Sequence, residues 1–187
     1  MLIVGTDGPA VETDLIDGRF PCPACGCVLR PWGHGVDREV RLLVGHERRR
    51  FRRSRCSGCA LTHVLVPEDT LVRRRDAAEV IGAALVARAN GSSLRQIALD
   101  LGRSLSSVRG WLRRFTAMAI AIREHFTRWA AVIDPTHDAR SPGGSDFFDA
   151  VEAVGMVGVV TVRRFGHRPP WSVASFLTGG SGEVLAI

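Results

Sequence analysis

The spacing of apolar positions changes along the chain. Residues 1–18 begin with four apolar residues, turn acidic, and set up no sustained period, so a flexible lead-in is expected there. Between residues 19 and 66 the pattern is short and alternating. Val28–Trp32, Glu39–Val44, Arg49–Arg55 and Thr62–Leu65 read as strands, with Gly33, Gly35 and Gly45 between them and Pro67 closing the unit. From Leu71 the period becomes helical. Val80, Ile81, Ala84 and Leu85 share one face of a helix over about 75–89, which Asn90 and Gly91 stop. Two further helical patterns meet at Gly102, and Phe115–Ile133 prolongs the second until Pro135. A Ser141–Ser145 linker (SPGGS) follows. Asp146–Phe165 reads as another helix, weakened by Gly155 and Gly158, and Pro169 and Pro170 open a short last helix that Gly179 and Gly180 close. The expected fold class is α+β, mostly α. The expected division is a lead-in over 1–18, a β unit over 19–67, a helical domain over 71–133 and a helical extension over 144–187.

Two apolar stripes mark the C-terminal third: Met118, Ile120, Ile122, Phe126, Trp129 and Val132, then Phe147, Phe148, Val151, Val154, Val157 and Val160. Such stripes either pack on one another and the preceding helices or pair two copies as a homodimer. At 187 residues and 45% hydrophobic content, the chain can bury a core and is not of a disordered class. No apolar run approaches the length of a membrane span. The first residues lack the basic start and long apolar stretch of a secretion signal, so a cytoplasmic, nucleoid-associated location is expected.

Charge changes the picture more than composition does. The net +6 is uneven: residues 1–47 sum to −3, 48–115 to +10 and 116–187 to −1. Every basic residue is Arg. A basic centre between near-neutral flanks is either a surface for a polyanion or a solvated face.

All five cysteines lie in the alternating unit. Cys22, Cys25, Cys56 and Cys59 form two C-x-x-C pairs with 30 residues between them. Each pair can make a knuckle whose thiolates converge on one ion, and two knuckles on hairpins make a zinc ribbon with a structural Zn2+. Without an export signal disulfides are disfavoured, and the βαβ setting of a redox pair is missing. Four thiolates leave neither an open coordination position nor a general base, so the metal is expected to fold the unit and not to catalyse. Cys27 is a spare thiol or an exchange ligand; His34, His46 and His63 are surface or hairpin histidines or substitute ligands. The arm leading to the second knuckle carries Arg48, Arg49, Arg50, Arg52, Arg53 and Arg55 around Phe51, which alternation turns inward. These guanidiniums fork onto phosphates or guard an edge strand.

Residues 94–113 (LRQIALDLGRSLSSVRGWLR) have the offsets of a helix-turn-helix. Ile97 and small Ala98 face inward, Leu101 fills the corner, Gly102 supplies a positive φ, and Ser104 is placed to cap the second helix through the N–H of Ser107. Ser92 or Ser93 caps the helix before it. Val108 and Trp111 or Leu112 return to the core. The outer face of the second helix, about 105–115, is Ser106, Ser107, Arg109, Arg113 and Arg114. Its leading end is suited to the major groove of double-stranded DNA, with Arg109 the best candidate for a base contact. Gly110 weakens that helix by about 1 kcal/mol relative to alanine. Arg73, Arg74 and Arg75, ahead of the first helix, are phosphate clamps or solvated.

The order C-P-A-C, an Arg-rich arm, C-S-G-C and then I-A-x-x-L-G-R-S-x-S-S-V-R-G-W-L-R-R resembles the N-terminal DNA-binding region of bacterial insertion-sequence transposases. It is closer still to an actinobacterial family of stand-alone zinc-ribbon and helix-turn-helix proteins of unknown function, whose P-P-W and L-T-G-G tail is similar to Pro169–Trp171 and Leu177–Gly180. The resemblance covers about 20–115. It implies metal binding by the four paired cysteines and recognition of DNA termini by Ser104 to Arg114. Transposase catalysis needs a large α/β domain carrying three carboxylates. Here Asp134, Asp138, Asp146, Asp149 and Glu152 fall in a linker and a helix start, where they serve as turn residues and helix N-terminal charges. The chain is therefore expected to be no enzyme. It is expected to be a sequence-preferring DNA-binding protein, transposase-derived or a transcriptional regulator, or else a zinc-ribbon adaptor in a transcription or transposition complex.

Overall fold

In the computed structural model, residues 1–137 and 143–178 are described. Asp138, the start of the Ser141–Ser145 linker and the Gly179–Gly180 pair lie outside them. Residues 1–18 are not a loose lead-in. Leu2–Val4 forms a strand, β1, which pairs in parallel with Leu65, Val66 and Pro67. A helix, α1, spans Gly8–Ile16; the Asp7 carboxylate caps it by accepting from the N–H of Ala10, and Leu15 is wholly buried.

The three longer strands are β2 (Leu29–Arg41), β3 (His46–Cys56) and β4 (Thr62–Pro67), and the sheet order is β1-β4-β3-β2. Of the two runs expected as separate strands, Leu29–Trp32 and Glu39–Arg41 belong to one strand, and Leu42–Val44 fall in the turn after it. Gly33 and Gly35 do not end β2; its register with β3 shifts between Pro31 and His34 and again between His34 and Asp37. Gly45, at φ +76, makes the hairpin turn.

After α1, five further helices among the described residues follow the expected periods closely: α2 (Ala78–Ala89), α3 (Leu94–Asp100), α4 (Leu105–Ile133), α5 (Asp146–Phe165) and α6 (Pro170–Leu177). Ser145 caps α5 through the N–H of Phe148. Asp146 and Asp149 lie in its first turn and Arg163 and Arg164 in its last, as the helix dipole favours. The C-terminal stripes bury against the rest of the helical core: Ile122 and Phe126 of α4, and Val154, Val157 and Val160 of α5, are almost fully enclosed. Ile120 and Val132 are the stripe positions of α4 left largely exposed.

Buried residues form two clusters. The smaller gathers Val4, Leu15, Cys22, Leu29, Cys56 and Leu65 at the cysteine end of the sheet. The larger joins Val40, Phe51 and Val66 of the sheet to all the helices from α2 onward. The β unit and the helical unit therefore share a core. Their contact is reinforced by Arg103, whose Nε meets Asp76 at 2.6 Å while its two terminal nitrogens donate to the carbonyls of Leu101 and Leu42. Among the described residues, no helix is long and apolar enough to cross a membrane.

Candidate nucleic-acid interface and metal centre

The turn between α3 and α4 is built as its residues dictate. Gly102 stands at φ +60, a left-handed conformation that costs a side-chain-bearing residue about 1–2 kcal/mol. The Ser104 hydroxyl accepts from the N–H of Ser107 at 3.2 Å and caps α4; Ser93 does the same for α3 through Gln96. Ile97, Ala98, Val108 and Trp111 are buried where the two helices cross. Outward at the start of α4 are Ser104, Leu105, Ser106, Arg109 and Arg113, all exposed, with Ser107 half-buried beside them. The C-terminal helices cover α4 from further along: Phe115 packs edge-on against Phe147 at 5.0 Å and Trp171 at 6.4 Å. Arg114 differs from its neighbours. Its guanidinium folds back along the helix over Gly110 and is half-buried.

The Arg-rich arm separates into two groups. Arg49 forks onto Asp69 at 2.6 and 2.7 Å and also meets Glu47; Arg52 forks onto Glu12 at 2.7 and 2.8 Å and donates to the carbonyl of Gly33. Both are committed to acids of this chain, unlike the phosphate-facing role expected of them. Arg50 pairs with Asp37 but is well exposed. Arg53 reaches the Thr62 hydroxyl, and Arg55 stacks over the exposed Trp32 ring at 4.6 Å while donating to the carbonyl of Ala60. Among the described residues, the arm's cations free of acids are thus Arg48, Arg53 and Arg55, with Phe51 buried beneath as alternation requires.

Residues 72–120 match the homeodomain-like domain family. The match spans the three helices α2, α3 and the first half of α4, and stops short of every cysteine. No curated protein and no solved structure matches the chain. The homeodomain-like region therefore carries its helix-turn-helix at the place where the sequence puts it, with α4 as the second helix of the pair.

The candidate metal centre lies outside that region. The sulfurs of Cys22, Cys25, Cys56 and Cys59 all lie within 4.8 Å of one another. Cys22 and Cys59 stand 3.7 Å apart and Cys25 and Cys56 3.4 Å. Tetrahedral zinc–sulfur bonds of about 2.3 Å set sulfurs about 3.8 Å apart, so the cluster fits such an ion. Backbone N–H groups of Ala24 point at Cys22, and those of Gly58 and Cys59 at Cys56, which is the arrangement that steadies thiolates in a knuckle. Backbone hydrogen bonding from Cys27, together with the neighbouring thiols, lowers the Cys25 thiol to about 6. Cys27 itself lies outside the four, against Gly58; a Cβ there would stand 2.6 Å from its sulfur. His34 and His46 are exposed, whereas His63 is buried with Nε2 3.4 Å from the sulfur of Cys22. It is a hydrogen-bonding neighbour of the cluster.

Two contributors had no signal in the sequence. Arg103 fixes the helix-turn-helix corner through Asp76 and Leu42, which are 27 and 61 residues away. Glu12 holds Arg52 from a helix in the segment expected to be loose. The acids read as turn residues behave so: Asp134 accepts from the N–H and hydroxyl of Thr136, and Asp149 accepts from the N–H groups of Gly143 and Gly144.

Proposed function

We propose that this chain is a sequence-preferring double-stranded DNA-binding protein that acts by binding and not by catalysis, either as a transcriptional regulator or as a transposase-derived relic. One observation carries the reading: the serine- and arginine-bearing face of α4 from Ser104 to Arg113 is left uncovered by the C-terminal helices, within a region similar to homeodomain-like domains. In this reading the N-terminal half of α4 enters the major groove. Arg109 forks onto a base edge, and Ser106 and Ser107 meet phosphate or base edges beside the helix N-terminus. Arg53 and Arg55, with Arg50 at the margin, hold phosphates from the sheet. Cys22, Cys25, Cys56 and Cys59 hold a structural zinc, whose contribution is to fix the two knuckles and the small core behind them. Two copies pair through exposed apolar positions such as Ile120 and Val132, which sedimentation of the purified protein tests.

Fluorescence anisotropy of the zinc-loaded chain on duplex DNA, titrated across salt, tests the central claim. Binding should be tight at low salt and fall steeply as salt rises, because each neutralised phosphate releases counterions. Absence of binding at low salt removes the reading. Co-purification of a protein partner that depends on Cys56 and Cys59, with weak DNA affinity, would move the function to the adaptor alternative.

A further inference from the structure

Three well-enclosed arginines are matched with acids: Arg103 with Asp76, Arg49 with Asp69, and Arg52 with Glu12. One group beside α4 is not. Arg114 is half-buried, and its Nε is enclosed without any hydrogen-bond partner. The charges close to it are Arg74, from the loop before α2, and Arg113, and burial with these like charges lowers its pKa. Among the described residues no carboxylate pairs with any of the three.

The group is also positioned. A Cβ on Gly110 would lie 3.3 Å from both terminal nitrogens of Arg114, so the absent side chain leaves the channel in which the guanidinium rests. On the other side, the Arg74 carbonyl accepts from Arg38 at 2.7 Å, and the Arg38 guanidinium lies over the buried Phe51 ring at 5.1 Å. The sheet thus holds the loop that carries Arg74. Its neighbour Arg73 is at φ +62, a left-handed conformation that non-glycine residues adopt only where surroundings hold it.

We propose that Arg74 and Arg114, with Arg113 at the rim, form a seat for one backbone phosphate of bound duplex DNA, and that Gly110 is there to make room for it. This rests on the DNA-binding reading and deepens it by naming a base-independent contact beside the base-reading face. A phosphodiester oxygen accepts from the terminal nitrogens of Arg114, which are not enclosed as its Nε is, and offsets the mutual repulsion of the guanidiniums, as no carboxylate among the described residues does. The seat fixes the register of α4 on the duplex and carries no sequence information.

The test uses the full zinc-loaded chain with a selected duplex and a scrambled one, each titrated across salt. Arg74→Gln and Arg114→Gln keep much of each stem and remove the charge. Each is expected to weaken both duplexes by the same factor. The double variant should lower the slope of log affinity against log salt by about 0.9, one phosphate's worth and not two. Gly110→Ala, which favours helix over glycine, is expected to weaken both duplexes equally while melting no lower than the wild type. Unchanged affinity and slope in all three, or losses confined to the selected duplex, overturn the seat. If Arg109→Ala alters preference while these variants bind as wild type, the phosphate seat falls and DNA binding stands. If the wild type binds neither duplex, both fall.

Discussion

Arg49 and Arg109 are the same side chain with opposite fates, and what separates them is the acid across the fold. Arg49 has Asp69 and Glu47 within reach, while Arg109 is exposed with no acid paired to it among the described residues. The difference makes substitutions separable. Arg109→Ala is expected to cost about 1–3 kcal/mol on a preferred duplex and little on a scrambled one, read by competition binding. Equal losses on both would contradict a base contact. Arg52→Ala is expected to leave the salt slope of binding unchanged and to lower stability by at most about 1 kcal/mol, because the Glu12 it holds is partly exposed. The Arg52 hydrogen bond keeps the Glu12 carboxyl below its ordinary value. A carboxyl lowered by folding stabilises above its unfolded pKa and ceases to do so as pH falls through its folded value. The melting difference between wild type and Arg52→Ala should therefore be present at neutral pH and vanish in acid. A difference that grew on acidification would refute the pairing.

At the level of elements, the knuckles and the helix-turn-helix were legible because each is specified by residues close in sequence. Cys22 and Cys25, or Gly102, Ser104 and Ser107, announce their turn through spacing alone. β1 was illegible for the opposite reason, whereas α1 carried local signals in Asp7 and Pro9 that the lack of a sustained apolar period masked. A three-residue strand has no period, and Leu2–Val4 becomes a strand only by lying along Leu65–Pro67, more than sixty residues away. Charge had the same weakness: alternation shows which arginines share a face, not that Asp69 or Glu12 waits opposite. The glycine-bearing stretch of β2 misled because Gly33 and Gly35 serve bulges as well as turns. The two buried clusters set a prediction at this scale. The smaller one holds six residues, two of them metal-compatible cysteines, which is too little to hold by itself. Chelation at neutral pH, or Cys25→Ser, should strip hydrogen-exchange protection from the backbone around Leu15, Leu29 and Leu65. Val80, Ile97 and Phe126, in the larger core, should keep theirs. Uniform loss would mean one cooperative unit, and no loss would remove the structural metal.

Across the whole molecule, α5 packs along α4 and α6 anchors on α2, and together they leave the leading end of α4 open. The anchor is Trp171, seated where α2 has Gly82; a Cβ at that glycine would stand 2.1 Å from the indole. Glycine inside a helix is ordinarily worse than alanine by about 1 kcal/mol. At this position the order should reverse, since the rigid indole is itself buried against Phe115 and has no free end to swing aside. Overpacking of this kind costs about 1–3 kcal/mol, enough to outweigh the gain in helix propensity. Gly82→Ala is therefore expected to lower the melting temperature, and Trp171→Ala, which leaves a cavity, to lower it further by about 3–5 kcal/mol of stability. Combining them should cost less than the sum, because alanine at position 82 fills part of the space that the indole vacates. Ser104, Ser106 and Arg109 are exposed with α6 in place, so the folded fraction of Gly82→Ala should bind duplex DNA as the wild type does. A rise in melting temperature for Gly82→Ala would show that Trp171 is not seated on α2, and additive losses would show that the two residues do not touch.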